Sequence, residues 1–132
     1  MASATLLICA SLMAVDGDTV ECDGQRLRPM GNGAPYVSGF DTPEIGVRAD
    51  CPGENWLGAM ALARMIELLE TPGLVVEGSG VPDAFERQLV VLRLPDGSTV
   101  GQALIDEGHA REWTPAYKAN WCDDVVAAKA GS

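Results

Sequence analysis

Positive charge is scarce in this chain: nine lysines and arginines face nineteen aspartates and glutamates, for a formal net charge of −10. A protein that grips nucleic acid through phosphates presents a basic face, because each contact exchanges condensed counterions for Lys or Arg. The charge balance therefore argues against tight non-specific binding. It leaves weak phosphate contact, made by a few converging arginines with a metal to neutralise the carboxylates. Histidine is nearly absent, and His109, at the end of a short helical stretch, reads as a solvated imidazole rather than a catalytic one. No Cys-x-x-Cys pair occurs among Cys9, Cys22, Cys51 and Cys122, so a zinc site is not expected. The four cysteines suit two disulfides in an oxidising compartment or buried thiols in a cytoplasmic one, and their spacing does not say which would pair. The apolar stretch over residues 5–13 is short for a membrane span and lacks the positive flank of a signal peptide. It reads as a first β-strand, in a chain that as it stands carries no export signal and meets no membrane. There are no repeats and no linker, and 132 residues suit a single domain over 1–132.

What the chain does have is carboxylates at turns. Asp41-Thr42-Pro43-Glu44 and Asp16-Gly17-Asp18 each set acids beside residues that redirect the backbone. Clustered carboxylates repel one another unless a cation sits among them, and hard oxygen ligands suit calcium or magnesium. Taken alone, Asp16 and Asp18 could be turn formers bonding their own backbone. An EF-hand loop is excluded, because Val20 and Glu21 stand where an oxygen ligand and a glycine are required.

Hydrophobic patterning predicts strands over residues 6–15 and 19–28, with Asp-Gly turns at Asp16-Gly17 and Asp23-Gly24 where positive φ is favoured. A glycine-rich loop follows over residues 31–39. The best helix spans residues 53–69, with Ala61, Leu62, Met65, Ile66 and Leu69 on one face and Pro72-Gly73 stopping it. Strands are expected over residues 74–77 and 88–94. A short helix capped by Ser98 or Thr99 and ended by Gly108 comes next, then a C-terminal helix over residues 115–129. This order predicts an α+β fold built on a small OB-type barrel.

With these residues in view the chain resembles the staphylococcal nuclease (thermonuclease-like) family. Val15-Asp16-Gly17-Asp18-Thr19 is similar to the first family motif and Asp41-Thr42-Pro43-Glu44 to the second. Asp83-Ala84-Phe85-Glu86-Arg87 resembles an aspartate–aromatic–glycine–arginine turn, with Glu86 in the glycine's place. The resemblance spans roughly residues 5–122 and implies a five-stranded OB barrel with about three helices. By position it implies that Asp18, Asp41 and the Thr42 carbonyl hold calcium, with Asp16 in support. Glu44 then activates water, and Arg87 binds the phosphate. The family's second arginine falls at Tyr36. Arg28, before an inserted-looking loop over residues 29–35, is the better candidate for that role, and Arg26 the poorer. The implied activity is calcium-dependent hydrolysis of DNA or RNA to 3′-phosphate ends, with little sequence preference, by a secreted or periplasmic monomer acting best on single strands.

Trp113 and Tyr117 stand where an aromatic ring could stack on a base, although packing of the last helix is the safer reading of both. A reading of another class sits beside the enzyme: an OB-fold module, weak or inactive in catalysis, that binds nucleic acid or protein. The acidic charge, Glu86 and the displaced arginine favour it. The complete set of metal and base residues favours the enzyme.

Overall fold

The structure, a computed structural model, describes residues 5–31, 39–114, 117 and 120–122. Eight strands and two α-helices occur among them, in the order β1 (Thr5–Leu7), β2 (Leu12–Asp16), β3 (Thr19–Cys22), β4 (Gln25–Pro29), β5 (Gly39–Asp41), α1 (Pro52–Leu69), β6 (Val75–Pro82), β7 (Gln88–Arg93), α2 (Val100–Asp106) and β8 (Arg111–Trp113). The class is α+β. Six strands form one sheet in the order β1-β6-β7-β4-β3-β2, and β5 pairs with β8 in a second. Neighbours in the large sheet are antiparallel except β4 and β7, which run parallel with Leu27 opposite Gln88 and Pro29 opposite Val90. Where five strands in a barrel were expected, eight are found, and among the described residues no ladder joins the outer strands β1 and β2.

The expected first strand is two strands. At its middle the Asp23 carboxylate accepts from the amides of Ala10 (3.1 Å) and Ser11 (2.7 Å), while the Asp23 amide donates to the Ser11 carbonyl. Satisfied there by Asp23, the backbone changes partners, from β6 before the break to β3 after it. A Cys9–Cys22 disulfide crosses the same corner. The two Asp-Gly turns also differ. Asp23 and Gly24 both take positive φ (50° and 89°), as a tight hairpin needs, whereas Gly17 is not among the positive-φ glycines. Gly17 serves close approach instead: a Cβ there would lie 2.6 Å from Thr42 Oγ1.

Helix α1 is capped by Cys51, whose sulfur accepts from the Glu54 amide, and Pro52 occupies its first position. Its buried face is Glu54, Gly58, Ala61, Met65 and Leu68, at alternating spacings of four and three. Ile66, expected on that face, is exposed, and Leu62 and Leu69 are half-buried. The rotation follows from Gly58. A Cβ there would lie 2.7 Å from the Glu44 carbonyl oxygen and 2.8 Å from that of Pro43, so the helix turns this bare position to the motif. Beneath it Val20, Leu27, Phe40, Met65, Val90, Leu92, Val100 and Leu104 form the core. Thr99 caps α2, accepting from the Gln102 amide (3.0 Å) and donating to the Gly31 carbonyl (2.8 Å). The expected helix over 115–129 falls largely outside the described residues, of which Trp121 and Cys122 are helical. Tyr36 and most of the loop at 31–39 also lie outside them. Strand β8 was not foreseen, its three residues being too few to show a period.

The two glycine roles predict opposite tolerance. Gly17→Ala should lower unfolding stability by about 1–3 kcal/mol, since Thr42 is buried and cannot yield. Gly24→Asn, with open space around it and a side chain that tolerates positive φ, should cost less than about 1 kcal/mol. Urea denaturation of the two variants decides between these expectations.

Candidate active site

The β2–β3 turn, the segment after β5 and the start of β7 meet around a cleft of about 560 Å³. Asp16, Asp18, Asp41 and Glu44 line it, and so do Arg26, Arg28, Arg48 and Arg87. Four of the nine cationic residues of an acidic chain thus converge on one concavity with four carboxylates. Of the residues expected to act together, Asp16, Asp18, Asp41, Glu44, Arg28 and Arg87 share this cleft. Thr42 is buried against Gly17.

Arg28 reaches the cleft from β4. One terminal nitrogen lies 3.7 Å from Asp18 Oδ2 and the other donates to the Phe40 carbonyl. Arg87 is held by its own turn, Nε donating to Asp83 Oδ2 (2.8 Å) and Nη1 to Thr19 Oγ1 (2.8 Å). The other Asp83 oxygen accepts from the amides of Phe85 (2.8 Å) and Arg87 (2.9 Å). Burial pushes the Asp83 carboxyl up, but those amides and the Arg87 charge outweigh it and hold it below the usual range. Glu86 completes the turn at φ 64°, the left-handed conformation that a glycine would adopt freely.

Glu44 is placed from beneath. The buried carboxylate of Glu54, in the first turn of α1, accepts from the Glu44 amide (2.9 Å) through one oxygen and the Asp50 amide (2.8 Å) through the other. A carboxylate at a helix N-terminus also meets the positive end of the helix dipole. Burial pushes the Glu44 carboxyl above its ordinary value, with Asp16 and Asp41 adding to the shift and Arg48 opposing it. That is the direction a proton acceptor working near neutrality requires. Compared with known proteins, the chain matches no family model and no curated protein.

Asp18 carries the largest electrostatic burden. Burial raises its carboxyl from 3.8 to about 7; Arg28 opposes the shift, while Asp16 and Asp41 reinforce it. Its amide donates to Asp16 Oδ1 (3.0 Å), which places Asp16 at the turn as support. Asp18 and Asp41 are hard oxygen donors facing an open cleft, the donor chemistry a divalent cation takes. Among the described residues no three His, Cys, Asp or Glu side chains form a metal-binding group by themselves.

The two aromatics expected to face substrate part company. Trp113, at the end of β8, is partly exposed and lines an apolar depression of about 370 Å³ with Phe85, Met30 and Leu89, beside the arginine pair. Tyr117 instead donates its hydroxyl to Asp41 Oδ2 (3.1 Å), and Trp121 Nε1 donates to the same oxygen (3.0 Å). Sequence reasoning missed the parts played by Asp83, Glu54 and Trp121. Asp83 and Arg87 have the spacing of an ion pair, four residues apart, which was a usable signal. Glu54 reaches amides only four and ten residues back from a capping-box position, disguised because Cys51 stands where a Ser or Thr would mark the cap, whereas Trp121 acts across eighty residues and nothing local marks it.

Two measurements follow from this electrostatic arrangement. A raised carboxyl pKa favours the protonated folded form, so the unfolded chain ionises first as pH rises. Without divalent cation, stability should therefore fall between about pH 4 and pH 7 and level off above, and Asp18→Asn should flatten that slope in urea titrations. Glu86→Gly should raise stability by about 1 kcal/mol, read as a higher melting temperature, because it relieves a left-handed side chain.

Proposed function

We propose that this protein is a calcium-dependent phosphodiesterase that hydrolyses single-stranded DNA or RNA to 3′-phosphate products with little sequence preference. The observation that carries the reading is the single cleft shared by Asp18, Asp41, Glu44, Arg28 and Arg87, the residues the resemblance to the staphylococcal nucleases singles out. On this reading the sheet and helix α1 are an OB-type barrel of that family. Two disulfides, Cys9–Cys22 and Cys51–Cys122, suit action outside the cytoplasm, as a monomer.

Asp18, Asp41 and the Thr42 carbonyl would hold calcium, which supplies Lewis-acid charge beside the phosphate. Arg28 and Arg87 orient the non-bridging oxygens and meet the charge that develops on them. Both guanidiniums are already fixed by protein partners, so little reorganisation is needed as that charge grows. Glu44, its backbone tied to α1 through Glu54, takes the proton of the attacking water as the bond from phosphorus to the 5′ oxygen breaks.

The second reading, a binding module without efficient turnover, draws on the same pairings: Arg28 lies against Asp18, and Arg87 against Asp83. An arginine committed to an internal carboxylate has less capacity left for phosphate.

Incubation with single-stranded DNA, first with calcium and then with chelator, separates the two readings. The enzyme reading expects cleavage that chelation abolishes. It also expects Glu44→Gln and Arg87→Ala each to lower kcat by about 10²–10⁴-fold without unfolding the protein. Binding without turnover by the wild-type chain would favour the module, and undiminished turnover in Glu44→Gln would remove Glu44 from the role of base.

A further inference from the structure

Asp41 is not simply exposed to the cleft it lines. Its Oδ2 accepts two hydrogen bonds from the C-terminal part of the chain, from Tyr117 Oη at 3.1 Å and Trp121 Nε1 at 3.0 Å. Both donors cross more than seventy residues of sequence to reach it. Arg111, opposite Asp41 in the β5–β8 register, lies beside both donors: its guanidinium stacks 3.9 Å from the centre of the Trp121 ring, and its charge opposes the upward push that burial and Asp41 give the Tyr117 hydroxyl. The residue after Trp121 is Cys122, joined by a disulfide to Cys51. Cys51 in turn caps the helix whose Glu54 carboxylate holds the Glu44 amide. Trp121 is almost wholly buried, at 5% exposure, so its indole N–H is spent on Asp41 and its ring on packing.

We propose that Tyr117 and Trp121 are positioning residues for Asp41, fastened by the Cys51–Cys122 disulfide, and that they set the affinity of the cleft for a divalent cation. Two donors on one oxygen fix the Asp41 carboxylate as a rigid body, so that it meets a cation without first losing side-chain freedom. Left unheld, a carboxylate among Asp16, Asp18 and Glu44 would turn away from its neighbours' charge. The inference rests on reading Asp41 as a cation ligand. It assigns the Tyr117 hydroxyl, rather than the Tyr117 ring, as the group that matters.

Calorimetric titration of calcium into the intact protein tests this, with Tyr117→Phe, Trp121→Phe and the double variant Cys51→Ala/Cys122→Ala. Tyr117→Phe keeps the ring and removes one oxygen atom. It should weaken calcium binding by about 10-fold, with a similar loss in Trp121→Phe and in the double variant, which leaves Cys9–Cys22 intact. Excess calcium should restore kcat in Tyr117→Phe with KM for single-stranded DNA unchanged, which a stacking or purely structural role would not produce. Circular dichroism confirms folding, and Tyr117→Phe carries the test if a harsher variant fails to fold. Wild-type calcium affinity in Tyr117→Phe and in folded Trp121→Phe overturns the inference and leaves the cleft's calcium reading standing. No calcium binding by the wild-type chain overturns both.

Discussion

The parallel pairing of β4 with β7 organises everything around the cleft. Hairpins alone would give two separate antiparallel units, β2-β3-β4 and β1-β6-β7 with its crossing first strand. Parallel neighbours cannot be joined by a tight turn, so a long crossover must intervene, and here it contains β5, the Asp41–Glu44 segment, α1 and β6. The three-residue ladder places Arg28 opposite Leu89, two residues beyond Arg87. It also brings Thr19 of β3 within hydrogen-bond reach of the Arg87 guanidinium. Leu27 and Val90, wholly buried beside this ladder, bind the two halves through the apolar core, so the arginine pair and the core depend on the same contact.

A second constraint is steric. The Asp41–Glu44 segment runs between two glycines that leave no room for a Cβ, Gly17 against the Thr42 side chain and Gly58 against the Pro43 and Glu44 carbonyls. This packing brings the β2–β3 turn and helix α1 together on opposite sides of four residues. It explains how acids from separate turns reach one cleft, and why α1 is rotated so that Ile66 faces out. Glu54 adds a polar anchor, a buried carboxylate that accepts from two backbone amides and so is satisfied where it is buried.

Local rules are broken in this region. Asp18 is buried among like charges, with Arg28 as its counterweight, and Glu86 holds a backbone conformation suited to glycine. Such departures persist only where the surroundings over-determine them, and they concentrate at sites with a task. Within the Asp83–Arg87 turn the over-determination is visible: the Asp83 carboxylate accepts from two amides and from Arg87 Nε, and the Asp83 amide donates to the Arg87 carbonyl. The turn is closed by those bonds whatever Glu86 prefers.

Local sequence carried the α+β class, the helix expected over 53–69, the Asp23-Gly24 hairpin, the Thr99 cap and the cleft's four acids with Arg26, Arg28 and Arg87, though not Arg48. Each of these depends on a period, a cap or a turn chemistry expressed within a few residues. The break between β1 and β2 was hidden, because Asp23 imposes it from across a hairpin. The helix face was misjudged, because the contact of Gly58 with residues 43–45 outweighs side-chain hydrophobicity in choosing it. Sequence by itself thus determined which chemical groups this protein possesses and which segments carry them. Only the tertiary structure decided their partners: Arg28 with Asp18, Glu54 with the Glu44 amide, and Tyr117 with Asp41 instead of a face open to substrate. The first two pairings span only ten residues but need the β3–β4 hairpin and the docking of helix α1 on the Asp41–Glu44 segment, while the third spans seventy-six and lies beside the Cys51–Cys122 disulfide.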